Sequence, residues 1–360
     1  MIWDMKYRIL VLGWLLIAVS VATASPPEGY YASTQGLSGQ TLKTALYNTI
    51  KNHTALGYSD LWTAFQQTDK RPDGKVWDIY SNITNYVFGD DQAGSISAAS
   101  ENDNYNREHS FPKSWFGGEK YPMYSDLFHI YPSDAWVNNK RSNIPFGTVQ
   151  DVDGFSANSY SKWGTSTESG ATLPVFEPAD EMKGDMARTY FYMVTRYDDK
   201  VALWRSNDNT EMLAGNSYPA LSSWAVKLLL AWHRNDPVST KEINRNEVIY
   251  SQYQHNRNPY IDEPRLVEYI WGDSIGYAFM PSGSVGLEQP MDDSHPKAYC
   301  SEGCWWVTAK AGQRLQVFDL LGRRLLATSL TNTPYKLELS QTGYLLLMIG
   351  TTPLYIVKDN

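Results

Sequence analysis

Cysteine is almost missing from this chain: there are two in 360 residues, Cys300 and Cys304. A disulfide framework is therefore excluded for the long segment before Cys300, which must fold by packing alone. A CxxxC pair without a nearby histidine gives little indication of a metal site, and a local disulfide between the two cysteines stays open. Aromatic residues make up 14% of the chain, enough to fill a large core.

Long apolar runs are also scarce. The one that stands out, ILVLGWLLIAVSV at residues 9–21, is too short to cross a bilayer comfortably. Lys6 and Arg8 precede it and small residues follow at 22–24, so residues 1–24 predict a secretory signal peptide. Because no cysteine follows the expected cut, a lipid anchor is not expected. We expect a soluble protein, secreted or at the cell surface via the periplasm, without stable membrane insertion.

An excess of positive charge is absent too, since 31 Lys and Arg stand against 39 Asp and Glu, a formal net charge of −8. This argues against a protein that coats nucleic acid with its whole surface, but it allows a local basic cleft. Arg107, Lys113, Lys140 and Arg141 lie close in sequence to the polar motif described next and would line such a cleft.

Glu108 and His109 are adjacent in NREHSFPKSWF (106–116), and SDLFHIYPSDAWVNNKRSNIPFG (125–147) follows. Hydrolysis of a phosphate diester needs a cation on the phosphate, a base for water and stabilisation of the leaving oxygen. Carboxylate and amide oxygens suit magnesium or a similar hard cation, so Glu108 and Asn138 are candidate ligands. A neutral His109 could take a proton from water near neutral pH.

The second segment predicts a strand followed by a helix. DLFHIY (126–131) indicates a short strand that Pro132 ends. Ser133 or Asp134 is expected to cap the helix that begins with AWVNNKRSN.

This helix and the preceding strand would bring the polar groups together. Asn138 and Arg141 are three residues apart and share one helix face. Successive side chains of a strand point to opposite faces, so Glu108 and His109 can share a site only where the strand is bent or edges a cleft.

These segments resemble the bacterial endonuclease I family, whose active site is a ββα-metal (His-Me) finger. The resemblance covers about residues 37–271 and includes three downstream segments, 176–197, 236–250 and 254–271. It implies an α+β fold in which a mainly helical domain surrounds the finger.

The resemblance also implies roles for residues. His109 would be the general base, and Glu108 and Asn138 would hold a divalent metal, Mg²⁺ first, with Mn²⁺ or Ca²⁺ as alternatives. The resemblance further implies hydrolysis of DNA and RNA with little sequence preference, leaving the phosphate on the 5′ side. Nucleic acid, DNA and in second place RNA, is therefore the expected partner.

One departure from the family concerns the cation that stabilises the transition state. Some members carry a long, cysteine-bearing insertion that includes an arginine near the scissile phosphate, whereas GGEKYPMYS (117–125) is short here and its only cation is Lys120. The assignment stays open between Arg141, Arg188 and Arg257.

Other residues are candidates for support or substrate contact. Asp126 either orients a neighbouring side chain or ion-pairs with Arg141, and His129 is expected to support or pack rather than to bind metal. Arg188 is equally able to bridge helices. The candidates for phosphate contact or support are Arg107, Arg141, Asn143, Arg188, Arg257 and Asn258. The remaining histidines are predicted to be surface or packing residues: His53, His233, His255 and His295.

Outside the motif, helical spacing is found at 38–53, 58–69, 187–197, 221–233, 239–254 and 264–271. Ser38 and Ser59 are the expected caps of the first two helices. RPDGKVWDIYSN (71–82) predicts a turn at Asp73 and Gly74 that leads into a strand. Residues 168–180 predict a loop that packs onto the finger.

Composition divides the chain into a signal peptide (1–24), a catalytic domain (25–271), a Gly-, Ser- and Pro-rich linker (272–305) and a small all-β C-terminal domain (306–360). The last part resembles the sorting domain of proteins exported by the type IX system, which makes secretion machinery a further expected partner. A small β-sandwich that packs on the enzyme or binds another partner is the alternative.

Two other functions are compatible with parts of the sequence. A metal-dependent phosphodiesterase acting on small substrates would use the same motif. A non-catalytic polysaccharide- or surface-binding module would explain the aromatic content but not Glu108, His109, Asn138 and Arg141.

Overall fold

The computed structural model describes residues 25–93, 98–166, 170–171, 174–208, 210–281, 297–301, 304–309, 311–319, 322–331, 334–337, 339, 343–350 and 352–358. Two compact units follow one another, residues 1–284 and residues 285–360. The predicted signal peptide and half of the predicted linker lie outside the described residues, as do the side chains of Cys300 and Cys304. In the described part of the chain, no helix combines the length and apolar character needed to cross a membrane.

The first unit is α+β and mainly helical, as the sequence predicted. Its helices outside the motif are α1 (Gly39–Ile50), α2 (Leu61–Thr68), α4 (Asp180–Arg196), α5 (Val201–Asp208), α6 (Ser223–Asn235), α7 (Thr240–Val248), α8 (Pro259–Asp262) and α9 (Leu266–Trp271). A π-helical segment, Ile249–Gln254, continues α7.

Helix α4 is the centre of this unit. Fourteen of its 17 residues are buried, and α1, α6 and α8 pack around it. Helices enclosed in this way are apolar on most faces. The same helix also carries buried polar groups, including Arg188 and Thr189, which must find partners inside the protein.

The polar motif forms a strand–strand–helix unit. Strands β1 (Tyr105–His109) and β2 (Ile130–Asp134) pair antiparallel, with Glu108 opposite Tyr131. Helix α3 (Ala135–Arg141) follows β2 directly.

Asp134, one of the two predicted caps, begins α3. Its carboxylate accepts a hydrogen bond from the backbone N–H of Val137 at 2.8 Å. The other oxygen accepts from the hydroxyl of Tyr86 at 2.6 Å and the backbone N–H of Asn102 at 2.7 Å. The start of α3 is thus fixed to the loop before β1.

The predicted strand at 126–131 was wrong in its position. The carboxylate of Asp126 accepts the backbone N–H of Phe128 at 3.0 Å, which makes these residues a turn. The observed strand starts later and contains Pro132. A proline without an N–H is tolerated here because each strand of a two-stranded sheet has an edge that needs no donor.

A second sheet is formed by β3 (Val149–Phe155), β4 (Lys162–Ser166) and β5 (Val175–Glu177) in the antiparallel order β3-β4-β5. The loop predicted at 168–180 therefore contains a strand. With three residues, β5 is too short to show the alternation that identifies a strand in sequence.

Ser38 is the N-cap residue of α1, as predicted, although its hydroxyl bonds to the carbonyl of Tyr269 and to the N–H of Gly276 and not to the helix. Two other local predictions were wrong. No strand forms at 71–82, because the Asp78 carboxylate accepts the backbone N–H groups of Tyr80 and Ser81 and closes a turn. The N-cap of α2 is Asp60 rather than Ser59.

The C-terminal unit is all-β where it is described. One sheet has the order β10-β7-β6 and the other β12-β11-β8-β9, both antiparallel. Two strands, β6 and β7, begin within the predicted linker. Apolar residues from both sheets form a core that includes Val307, Leu315, Val317, Leu345 and Leu347. The strands are β6 (Lys297–Ser301), β7 (Cys304–Thr308), β8 (Arg314–Asp319), β9 (Arg324–Ser329), β10 (Tyr335–Leu337), β11 (Gly343–Ile349) and β12 (Thr352–Lys358).

Candidate active site

Glu108 is a buried carboxylate, 3% exposed. Its Oε1 accepts a hydrogen bond from the Tyr80 hydroxyl at 2.9 Å and lies 3.1 Å from Nη1 of Arg141. Burial raises the pKa of Glu108, while Arg141 and Tyr80 act in the opposite direction. These two partners hold the orientation of the carboxylate through Oε1, and the backbone N–H of His109 and the side chain of Asn138 also hydrogen-bond to it.

Asn138 approaches Glu108 from α3. Its amide nitrogen donates to Oδ1 of Asn106 at 2.6 Å, and the side chain also hydrogen-bonds to Glu108. Since only the nitrogen of the amide donates, Oδ1 of Asn138 is not used by these bonds. Asn138 and Arg141, which the sequence predicts to share one helix face, both contact Glu108.

The residues present fit a hard divalent cation. A carboxylate oxygen of Glu108 and an amide oxygen of Asn138 are ligands that Mg²⁺ accepts, together with several waters. Such a site has few protein ligands, and indeed no group of three or more His, Cys, Asp or Glu side chains suited to a metal is found among the described residues.

His109 is enclosed by aromatic rings. Its imidazole stacks on Tyr58, with ring centroids 5.7 Å apart, and on Tyr124, with centroids 5.3 Å apart. Burial, followed by the nearby His129, holds the pKa of His109 well below its ordinary value. The ring is therefore neutral at neutral pH.

The protonated nitrogen of His109 can be assigned from its partner. Nε2 lies 3.2 Å from the carbonyl oxygen of Tyr124. Because a carbonyl only accepts hydrogen bonds, Nε2 carries the proton and Nδ1 carries the lone pair. Nδ1 is thus the nitrogen able to accept a proton.

Glu108 and His109 have different neighbours, as alternation along a strand requires. Asn106 and Glu108 contact α3, whereas Arg107 and His109 contact Tyr58. A shared site requires a bend or an edge at this point, and β1 ends at His109 in a sheet of two strands.

Arg107 is the cation beside His109. Its guanidinium lies 3.7 Å from the ring centroid of Tyr58 and 4.4 Å from that of Trp62, and Nη1 donates to the Tyr58 carbonyl at 2.7 Å. Among the described residues, no carboxylate forms an ion pair with it. A guanidinium held in this way keeps donors for a phosphate.

Arg141 is brought to the site but is committed to the protein. It is fully buried, and besides Glu108 it donates to the carbonyl oxygens of His109 at 3.0 Å and Ser110 at 2.5 Å. These bonds tie α3 to the end of β1. Arg141 therefore positions Glu108 rather than reaching a substrate.

Arg188 and Arg257 are held elsewhere, also in buried ion pairs. Arg188 donates to both carboxylate oxygens of Glu242, at 2.5 and 2.9 Å, so it bridges α4 and α7. Arg257 forms a two-point contact with Asp262 at 2.8 and 2.9 Å. The structure gives both arginines a packing role.

The two predicted asparagines are likewise occupied away from Glu108. Asn143 is exposed and donates to the carboxylate of Asp208 at 2.8 Å. Asn258 caps α8 through the N–H of Tyr260 at 3.0 Å. Neither is placed at the group formed by Glu108 and Asn138.

Asp126 is a fully buried carboxylate that does not pair with Arg141, contrary to one of the two expectations. It accepts from Tyr192, Tyr197 and Gln254 at 2.8–3.0 Å, besides the turn N–H of Phe128. Although burial opposes its charge, nearby histidines and these donors hold the pKa of Asp126 below its ordinary value.

His129 lies under His109, with ring centroids 5.4 Å apart. Its Nε2 lies 2.6 Å from the Met123 carbonyl, and burial lowers its pKa. This contact joins His129 to the loop that carries Tyr124.

Sequence reasoning missed the side chains that hold these groups. Tyr80 orients Glu108, Asn106 orients Asn138, and Tyr58 and Tyr124 enclose His109. Asn106 could have been found, because it lies two residues before Glu108 on the same strand face. The tyrosines come from distant segments and leave no local signal.

The chain has relatives among known nucleases. A family model for endonuclease I matches residues 38–265, which contain β1, β2 and α3. An extracellular ribonuclease of Bacillus amyloliquefaciens is 36% identical over 255 residues, 70% of this chain and 81% of that protein. An extracellular ribonuclease of Bacillus subtilis (strain 168) is 34% identical over 261 residues, 71% of this chain and 83% of that protein. An endonuclease-1 of Buchnera aphidicola is 26% identical over 138 residues, 38% of this chain and 44% of that protein. The chain belongs to the endonuclease I family.

Proposed function

We propose that the protein is a secreted, metal-dependent endonuclease that hydrolyses phosphodiester bonds of DNA and RNA with little sequence preference. One observation carries the proposal: the end of β1 brings together the carboxylate of Glu108, the amide oxygen of Asn138 and a neutral His109 whose Nδ1 holds a lone pair. These are a cation-binding pair and a base, the parts that diester hydrolysis requires. This unit is the ββα-metal finger in our proposal.

His109 acts as the general base. Its Nδ1 takes a proton from water, whose oxygen attacks the phosphorus. The bond from phosphorus to the 3′ oxygen breaks, the 3′ oxygen leaves with the bonding electron pair and takes up a proton from solvent, and the phosphate stays on the 5′ side. The Tyr124 carbonyl holds the ring through Nε2 and stabilises the imidazolium that forms. Burial keeps the base neutral before the reaction.

Glu108 and Asn138 hold the divalent cation, Mg²⁺ first and Mn²⁺ or Ca²⁺ as alternatives. When bound, the cation would supply the positive charge that a phosphate diester needs during attack. Arg141 and Tyr80 keep Glu108 in place for this task. We assign the phosphate contact to Arg107, because Arg141, Arg188 and Arg257 are held by buried carboxylates.

The names of the relatives bear on the substrate. Two relatives above 30% identity are named extracellular ribonucleases, and a third is named an endonuclease. We therefore place RNA beside DNA as a substrate, and we infer export from the same names and from the predicted signal peptide at 1–24.

The test is cleavage of plasmid DNA and of a long RNA by the chain from Ser25 onward, in magnesium and in EDTA. His109→Ala is expected to lower the rate by about 10²–10⁴-fold. Asn139→Ala, at an exposed position of the same helix α3, is the matched control and should cut at the wild-type rate. Wild-type cleavage by His109→Ala, or cleavage unaffected by EDTA, would refute the mechanism.

Metal binding is tested separately. Asn138→Ala should raise the magnesium concentration for half-maximal activity by about 10-fold or more, with partial rescue at excess metal. Activity on bis(p-nitrophenyl) phosphate but on no nucleic acid would favour the small-substrate phosphodiesterase instead.

The C-terminal unit is proposed to direct export and not to take part in catalysis. The family match ends at residue 265, inside the first unit, so the β unit lies outside the nuclease region. Deletion of residues 285–360 should keep nuclease activity in purified protein and prevent release from the producing cell. Normal release of the shortened chain would contradict the sorting role.

A further inference from the structure

A small basic cavity lies beside the loop that holds His109. It has a volume of about 180 Å³ and is lined by Lys51, Pro122, Arg196, Asp199 and Lys200, together with Tyr47, Asn52 and Tyr197. Three cations against one carboxylate give its lining a charge of +2, in a chain whose net charge is −8. Such a local excess attracts anions.

Arg196 is the residue that makes the cavity unusual. Five arginines are buried in the described part of the first unit, and four of them pair with carboxylates: Arg141, Arg188, Arg245 and Arg257. Arg196, 7% exposed, forms no such pair with a described residue. A buried charge without a counterion is costly, so its place beside the cavity indicates an anion partner there.

The protein fixes the orientation of this guanidinium. Nε of Arg196 donates to Nδ1 of His53 at 2.8 Å, and the guanidinium lies 4.6 Å from the ring centroid of Tyr197. These contacts use one edge and one face of the guanidinium group. Within the described residues, Nη1 and Nη2 have no protein acceptor, so the two-pronged end is left for a ligand. A guanidinium fork matches the oxygens of a phosphate.

The two lysines of the cavity, Lys51 and Lys200, add positive charge and form few contacts within the protein. Lys51 lies above the Tyr47 ring, at 5.3 Å from its centroid, and donates to the Asn48 side chain. Lys200 pairs with its exposed neighbour Asp199, and exposed pairs of this kind are weak.

The cavity is close to the candidate active site along the chain. Pro122 lines it, and two residues further on the ring of Tyr124 stacks on His109 while its backbone carbonyl accepts a hydrogen bond from Nε2 of His109. Two residues span at most about 7 Å. A strand cut at His109 can therefore reach the cavity with a phosphate several nucleotides away.

We propose that this cavity is a second phosphate subsite, in which Arg196, Lys51 and Lys200 bind a backbone phosphate of the polynucleotide away from the bond that is cut. The inference rests on the proposed function and deepens it. With this subsite the protein favours polynucleotide strands over small diesters as substrates. The subsite adds affinity without base specificity, because it contacts only the backbone.

The test is equilibrium binding of a fluorescein-labelled 20-nucleotide single strand, followed by anisotropy over a series of salt concentrations. The parent is His109→Ala, which is expected to cut about 10²–10⁴-fold more slowly than wild type, so the strand stays intact during the measurement. Adding Lys51→Gln with Lys200→Gln should weaken binding about 10-fold at low salt and reduce the salt slope by about 0.7 for each phosphate that the variant no longer neutralises. Adding Lys227→Gln, an exposed lysine at a different cavity, is the matched control and should change neither quantity.

Unchanged affinity and an unchanged salt slope in the double lysine variant would overturn the proposal. The same result is expected if the cavity binds only free phosphate. Weaker binding with an unchanged slope would also overturn it, since that result marks an indirect effect through the loop. Because Arg196 is buried, strand binding by Arg196→Gln is measured together with the urea concentration at which this variant is half unfolded. Binding needs no catalysis, so a chain that binds through these lysines but never cuts would refute the proposed function and leave the subsite standing.

Discussion

The ion pair between Arg141 and Glu108 gives the sharpest prediction about the site's construction. Both side chains are almost fully buried, with 1% and 4% exposure, and Nη1 lies 3.1 Å from Oε1. Removing one partner of such a pair leaves a buried charge without compensation and costs about 3–5 kcal/mol. Arg141→Met should also free the carbonyl oxygens of His109 and Ser110, which now accept from Arg141.

The assay is urea unfolding of the chain from Ser25 onward, followed by tryptophan fluorescence and activity. We expect the free energy of unfolding to fall by about 3–5 kcal/mol for Arg141→Met. Arg234→Met is the control, because Arg234 is 43% exposed and its pairs with Glu268 and Asp273 are solvated, and it should cost less than about 1 kcal/mol.

A double-mutant cycle separates the pair from other effects. Arg141→Met combined with Glu108→Gln should be less destabilising than the sum of the single changes, by about 1–3 kcal/mol, because neither charge is then left alone. A cost for Arg141→Met no larger than that of the Arg234 control, or strict additivity in the cycle, would refute the reasoning that Arg141 holds Glu108.

Three further outcomes follow from single side chains. Tyr80→Phe removes the hydroxyl that bonds to Glu108 and should cost about 1–3 kcal/mol, with a higher magnesium requirement in the cleavage assay; an unchanged requirement would contradict the orienting role. Asp126→Asn turns one acceptor into a donor among tyrosine hydroxyls and should cost about 1–3 kcal/mol in urea unfolding; a neutral change would contradict the buried acceptor. Burial, followed by Arg188, lowers the pKa of His233 from 6.5 to about 4. The unfolded chain therefore binds a proton on His233 more readily than the folded chain does. The contribution of His233 to the free energy of unfolding is complete above pH 6.5 and is lost as pH falls toward 4. Wild type should lose up to about 3 kcal/mol more than His233→Gln over that window; parallel stability curves for the two proteins would contradict this.

The sequence determined the parts of the site that are local. Glu108 and His109 are neighbours, Asp134 stands at the start of a helical pattern, and Asn138 and Arg141 are one turn apart, so capping and helix spacing were enough to place them. The long helices were predictable for the same reason, because their apolar spacing repeats over several turns. The family resemblance was also contained in ordered local segments.

The tertiary structure decided which of these groups are available. Four arginines were candidates in sequence for phosphate contact or support, and only the fold shows that Arg141, Arg188 and Arg257 are paired with buried carboxylates while Arg107 forms no ion pair with a described residue. Arg141 pairs with Glu108, 33 residues away, and Arg188 pairs with Glu242, 54 residues away. Such pairings leave no periodicity in the sequence, because burial and distance across the fold are set by how helices and strands pack.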